Sequence, residues 1–414
     1  MKLVQTGHNV LTVRLVRYRR LRTIESWFKT RDDIQDMTPA QAQKVIHLSL
    51  FYETPTTMHL GTQVALFKVW GIPTIAKILL KAGELSSQES LSKRLADTGI
   101  LVATWITNPI VGPGSGAESY DAGSYENVDP RGAIAVARVN WLHRKYPINQ
   151  DDYRYNLALF VLEPIDCTAR FGWRSHSIIE QQAFYVFWME IGRRMGIDIP
   201  WASLDEMREW ATAYEEERMV PNEHSVEIGQ IGVEHFSSRL PKVLRPAGLN
   251  LVATLLGPNT RRAMRLPDPP SWFSHVLFAL FRLQNVFVRY ACLPRRSPAL
   301  WVSSYEPSAE DLARLVAAGE LPRIPAVFKR SSPWYYPELK GFQKNIQDVL
   351  VFLKLRKPES VPSKRWKSEG YRVEELGPLR FEHQGHEEVI RMAEEIQGGP
   401  VKGPWSLNDR KMAS

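Results

Sequence analysis

From residue 38 to residue 293 the apolar residues recur at steps of three and four. The strict alternation of a half-buried strand is scarce throughout the chain. This spacing restricts the fold to an all-α class, with roughly two-thirds of the residues in helices. Helix starts and stops can be read directly. Thr38-Pro39-Ala40-Gln41 combines a capping threonine, a proline at the first helical position and a glutamine at the third. It opens a helix over 38–52 that ends where Glu53 approaches Pro55. Two short helices, 57–69 and 74–82, are separated by Gly71-Ile72-Pro73. A longer helix spans 88–107, and the Gly/Ser/Pro-rich stretch 111–130 reads as a loop. The next helix ends at His143. Asn149 or Asp151 caps its successor, which closes on Glu163-Pro164. Ser177 with Glu180 and Ser203 with Glu206 are capping boxes that open helices over 178–195 and 204–219. Helical patterns continue through 222–240 and 248–265 to the hydrophobic 271–293.

Past Pro294-Arg295-Arg296 the composition shifts. Residues 297–345 carry Pro333-Trp334-Tyr335-Tyr336-Pro337 and one helix at 308–319, and 355–414 are charged and Pro/Gly-rich with one helical patch at 386–397. The expected division is therefore a basic arm at 1–37, a helical catalytic domain at 38–296, and an accessory, partly disordered extension at 297–414.

The net charge of +8 over 414 residues is modest, and no nucleic-acid module is present, so a nucleic-acid partner is not expected. The cysteines, Cys167 and Cys292, are far apart, which argues against both a disulfide framework and a thiolate zinc site. No uninterrupted apolar run reaches membrane-spanning length. Residues 272–293 come closest, but Arg282, Gln284, Asn285 and Arg289 interrupt them, so a buried or interfacial helix fits better than a span. The N-terminal stretch is basic and alternately apolar; it suits either an anionic membrane face or a solvated arm.

There is no HExxH, GxSxG or Walker loop, and no GxGxxG after a strand. His383 and His386 have metal-like spacing but no apolar shell. His143 is different. It shares a helical face with Val136, Val139 and Asn140, and is either a satisfied core histidine or a metal or haem ligand. Arg94 lies on the stripe Leu91, Arg94, Thr98, Leu101, with Asp97 at its border. An arginine on such a stripe needs an anion, either a buried carboxylate such as Asp97 or a cofactor or substrate group. The aromatic stripe Phe184, Phe187, Trp188 reads first as core packing.

An ordered series of segments carries a resemblance. It begins with Arg94-Leu95-Ala96-Asp97-Thr98, Arg138-Val139-Asn140-Trp141-Leu142-His143 with Tyr146, and Asn149-Gln150-Asp151-Asp152 leading to Phe160-Val161-Leu162-Glu163-Pro164. It continues through Phe171-Gly172-Trp173-Arg174, Phe187-Trp188, Ile191-Gly192-Arg193-Arg194-Met195-Gly196-Ile197, Tyr214-Glu215 and Met219-Val220-Pro221. Over roughly residues 38–295 this series resembles the fungal MpaB-type oxygenases, ER-bound enzymes of meroterpenoid secondary metabolism, which are grouped with the bacterial rubber oxygenases (latex clearing proteins).

The resemblance implies a globin-related helical bundle holding haem b, with His143 as the proximal iron ligand and Arg138 and Asn140 among the cofactor-binding positions. Arg94, Asp97 and Thr98 match the family's distal arginine, lysine and threonine, with the lysine replaced by Asp97. Asn140 and Pro147 stand where the bacterial proteins carry arginines. The family's catalytic carboxylate is not placed by the match; Glu84 is the one carboxylate considered for it. The implied reaction is O₂-dependent cleavage of a prenyl carbon–carbon double bond in a small apolar substrate, with aromatic side chains lining its slot. A reductase partner and the cytosolic face of the endoplasmic reticulum are implied too. Because the family's membrane helix lies upstream, association is expected to rest on the basic arm and residues 272–293. Two alternatives remain open at this stage: a haem-dependent oxidase or hydroxylase of another apolar intermediate, and a haem-free member catalysing a cyclisation or rearrangement.

Overall fold

A computed structural model describes residues 13–407 apart from 14, 86, 118–127, 239, 328–332 and 354–357. About 66% of the chain is helical. No strand forms among the described residues, and the one β feature is an isolated bridge between Ile324 and Tyr371. The helices are α1 (Arg19–Trp27), α2 (Arg31–Gln35), α3 (Pro39–Leu48), α4 (Pro55–Trp70), α5 (Pro73–Lys81), α6 (Gln88–Thr107), α7 (Arg131–His143), α8 (Gln150–Phe171) and α9 (Ile178–Arg194). They continue with α10 (Leu204–Arg218), α11 (Glu223–Ser237), α12 (Arg245–Leu255), α13 (Pro258–Ala263), α14 (Ser271–Ala291), α15 (Ala309–Ala317), α16 (Gly341–Phe352) and α17 (His386–Gln397). The all-α class is as read from the periodicity. Part of the loop expected at 111–130 lies outside the described residues.

The chain folds as two units, and they cut across the division expected from composition. One comprises residues 1–83 and 147–299, the other 84–146 and 300–414. The second unit unites α6 and α7 with the C-terminal segment. That segment buries Trp334, Tyr335, Trp366, Tyr371, Val373, Leu376, Val389, Met392 and Trp405, so it is core rather than accessory. Its aromatic and apolar residues are spread among charges and prolines, and composition alone therefore reads as a tail.

In the first unit α4 lies against α8 so closely that a Cβ on Gly61 would stand 2.6 Å from the Cα of Pro164. The helix expected to close at Glu163-Pro164 in fact runs on to Phe171. An interior proline costs about 3 kcal/mol in an isolated helix. Burial of thirteen α8 residues, from Asp152 to Phe171, offsets that cost. Lys68 of α4 reaches Glu163 Oε1 at 2.7 Å and Glu215 Oε2 at 2.6 Å, and the Tyr155 hydroxyl donates to Glu215 at 3.1 Å. A half-buried lysine between two carboxylates satisfies the requirement that a desolvated charge be paired. The thiol of Cys167, buried nearby, is pushed up to about 12, first by desolvation and then by Glu163, so it is inert.

Ser177 and Glu180 form the expected capping box, whereas at 203–206 only half of it forms: Ser203 Oγ accepts from the Glu206 backbone, and the Glu206 carboxylate takes the Ala202 N–H at 2.9 Å. Glu180 also accepts from Arg174 at 2.6 and 2.8 Å and from Ser49 Oγ at 2.5 Å. Against the cost of burial, these bonds pull its carboxyl down to about 2. Phe184, Phe187 and Trp188 are fully packed, Trp188 stacked on Phe160 at 4.7 Å. They are core, the first reading of this stripe.

His176 is buried beside Thr54, Nε2 to Oγ1 3.3 Å, and desolvation lowers its pKa to about 4. The folded chain thus keeps this ring neutral where the unfolded chain, near 6.5, protonates it. The corresponding stability is present above pH 6.5 and is lost as pH falls toward 4, by up to about 3 kcal/mol. A His176→Gln variant should show a shallower loss of urea midpoint across that window than wild type; an identical loss would contradict a neutral buried ring.

No single described helix is long and apolar enough to cross a membrane. The pair α4 and α5, bent by 90°, passes that test of length and composition together, but α4 buries Met58, Val64, Ala65, Phe67 and Trp70 in the core.

Candidate functional site

Ser87 caps α6, its Oγ accepting from the backbone of Ser90 at 3.1 Å, and α6 then buries twelve side chains from Leu91 to Ile106. Helix α6 packs against α7, and α7 against α17 and the 373–375 turn. The site is built on the rims of this packing, within the second unit.

His143 is the last residue of α7, half-buried, with its Nδ1 inside. Burial lowers its pKa to about 4, and the charge of Arg94 adds to the shift. The imidazole is therefore neutral at physiological pH, the form that offers a lone pair to a metal. Arg94, half-buried on α6, is itself pushed below its usual value by desolvation. Glu84 opposes that shift most strongly, followed by Tyr146 and Asp97. Arg380 closes the group, donating to the Tyr146 hydroxyl at 3.0 Å and standing 3.3 Å from Glu84 Oε1. Glu84, Arg94, His143, Tyr146 and Arg380 thus form one electrostatic cluster. Two guanidinium groups face one carboxylate, leaving a positive excess beside a neutral imidazole.

The other expected residues fare differently. Asp97 is buried and committed to packing. It accepts from Lys93 Nζ at 2.6 Å, from the Tyr335 hydroxyl at 2.7 Å and from the Gly377 backbone at 3.2 Å. Its carboxylate ties α6 to the C-terminal segment. Glu84 accordingly acts on Arg94 more strongly than Asp97, the carboxylate that helical spacing suggested, though both attract it. Arg138 is fully buried and donates to the carbonyls of Leu376, Gln384 and Phe381 at 2.8–2.9 Å. These three bonds tie α7 to the C-terminal segment. Thr98, one turn after Arg94, is exposed, and Asn140, one turn before His143, is half-buried. His386 caps nothing and bonds the Glu382 carbonyl at 2.7 Å, a local contact.

Sequence reasoning missed Arg380 entirely. Its partner Tyr146 lies 234 residues away, and no local pattern marks an arginine in Pro378-Leu379-Arg380-Phe381. Glu84 enters from the sequence only as the carboxylate considered for the family's catalytic position, with no pattern of its own to mark it.

The match to a family model covers residues 60–288 and carries the description "ER-bound oxygenase mpaB/B'/Rubber oxygenase, catalytic domain". The chain is 28% identical over 412 residues to an ER-bound oxygenase mpaB' of Penicillium brevicompactum, covering 94% of this chain and 89% of that protein. It is 31% identical over 274 residues to an ER-bound oxygenase mpaB of Penicillium roqueforti (strain FM164), covering 61% of this chain and 86% of that protein. A second Penicillium brevicompactum protein, an ER-bound oxygenase mpaB, is 29% identical over 284 residues, 64% of this chain and 67% of its own length. The matched stretch contains Glu84, Arg94, His143 and Tyr146, and the longest alignment extends the likeness to nearly the whole chain. An enzyme with this catalytic domain is an oxidoreductase, and the chain belongs to the family of ER-bound mpaB-type and rubber oxygenases.

Proposed function

We propose that this chain is a haem-dependent oxygenase of secondary metabolism that cleaves a carbon–carbon double bond in an apolar prenyl chain, working at the endoplasmic reticulum membrane. The observation that carries the reading is His143: a neutral imidazole on a helix end, beside the fixed charge of Arg94. Among the described residues no three of His, Cys, Asp and Glu converge as a set for a bare metal ion. A porphyrin brings four of its own nitrogens and asks the protein for one imidazole, which this donor set matches.

A b-type haem, when bound, supplies the activation of O₂. The rest is the work of side chains. His143 would hold the iron, its neutrality maintained by burial and by Arg94. Arg94 would stabilise negative charge that develops on oxygen, a role worth most in a site shielded from water. Glu84 attracts Arg94 and is in turn held by Arg380, so the donor is oriented before substrate arrives. Tyr146, bonded to Arg380, fixes the other edge of that group.

The reading is tested by product analysis. Purified protein supplied with haem should convert a prenylated phenol to chain-shortened carbonyl products in air and to none under argon. A hydroxylated or merely oxidised product of unchanged carbon count would replace cleavage by an oxidase or hydroxylase function.

A further inference from the structure

Helix α14 is apolar on two sides, and only one of them is used. Phe278 and Phe281 pack against Phe171 of α8, with ring centroids 5.9 and 4.7 Å apart. On the opposite side Trp272, Val276, Leu280, Leu283, Val286 and Phe287 recur at helical spacing and stand 51–68% exposed. No residue of the helix is fully buried. Fifteen positions separate Trp272 from Phe287, a stripe about 22 Å long at 1.5 Å per residue. A stripe of that size, all large apolar residues, marks an interaction surface rather than ordinary surface scatter.

The charge beside it indicates what covers it. His275, Arg282 and Arg289 lie along one border of the stripe, and Arg289 is braced by the Tyr18 hydroxyl at 3.1 Å. From residue 269 to residue 299 the chain has four arginines, Arg282, Arg289, Arg295 and Arg296, and no acidic residue. An apolar face edged by cations, on a helix interrupted by arginines and too polar to span, is suited to lie in the plane of an anionic bilayer surface. Long arginine side chains there reach from the apolar level up to the headgroups.

We propose that α14 is a monotopic membrane-docking helix, inserting the Trp272–Phe287 stripe into the headgroup region of an anionic leaflet. The proposal rests on the reading of this chain as a membrane-associated oxygenase and assigns the surface that makes the contact.

The test is flotation of the full chain with vesicles of phosphatidylcholine and phosphatidylserine, compared with a Leu283→Glu/Phe287→Glu variant and with Arg282→Glu. Both changes fall on exposed positions, and unchanged far-UV circular dichroism checks the fold. The wild type should float, the double variant should bind at least tenfold less, and Arg282→Glu should lose binding mainly to the anionic vesicles. Equal flotation of wild type and double variant would overturn the proposal and place association elsewhere. A wild type that stays unbound and elutes as a dimer, dissociated by the double change, would overturn it in favour of a second copy of the chain. None of these outcomes alters an absorption spectrum or a product profile, so failure here is distinct from failure of the oxygenase reading.

Discussion

Arg138→Met should destabilise the unit formed by residues 84–146 and 300–414 by about 3–5 kcal/mol, the range for removing one side of a buried charged contact. The guanidinium is wholly buried and bonds three carbonyls, those of Leu376, Phe381 and Gln384, while lying over the Trp141 ring at 4.8 Å. Methionine fills much the same volume but returns none of those bonds, and each buried carbonyl left without a donor costs about 1–3 kcal/mol. Burial lowers the arginine's own pKa to about 10, opposed first by Glu374, so part of the loss is compensated by relieving a desolvated charge. The same segment approaches α7 through Gly385, at φ 75°, where a Cβ would meet the Trp141 ring at 2.1 Å. The clamp and the glycine therefore fix one geometry between them. Urea unfolding followed by tryptophan fluorescence checks the prediction. A loss under 1 kcal/mol would mean that the C-terminal segment is held by other contacts.

Arg94→Ala should lower turnover by about 10²–10³ if the guanidinium stabilises developing charge on oxygen, the range found when a single preorganised donor is removed. Its companion effect is on His143. With Arg94's charge gone, the pKa of His143 should rise above about 4, because that charge is the second cause of its depression after burial. Arg94→Lys, which keeps the charge and loses the planar donor, should leave the His143 shift in place while recovering only part of the rate. Turnover on a prenylated substrate and an NMR titration of the His143 ring separate the two roles. Equal turnover in Arg94→Ala and wild type would remove Arg94 from the chemistry.

Much of the fold was legible because helical structure is locally encoded. The Thr38, Ser177 and Ser203 caps, the span of α6 from Gln88 to Thr107 and the span of α17 from His386 to Gln397 follow from residues three or four apart. The failures share one cause. Pro164 reads as a stop, yet tertiary packing against Gly61 carries α8 through it. The partition at residue 296 follows composition, whereas the second unit is made by pairing α6 and α7 with a segment some 240 residues downstream. The site divides in the same way. His143 and Arg94 stood out as polar residues on apolar helical stripes. Arg138 and Asp97 stood in the matching segments too; Asp97's bond from Lys93, four residues earlier, is local, but the partners Leu376, Phe381, Gln384, Tyr335 and Gly377 lie past residue 330, where no local pattern marks them. Arg380 is the converse case, a site residue with no sequence signal at all.

The measurement that bears most directly on the account is the absorption spectrum of the purified protein expressed with haem supplied, before and after dithionite, alongside His143→Ala. The account predicts a Soret band in wild type that is lost or shifted in the variant, with the variant's fold intact, since His143 is half-buried at a helix end rather than in the core. A wild-type protein without a Soret band, or a band indifferent to His143, would contradict haem ligation at this position.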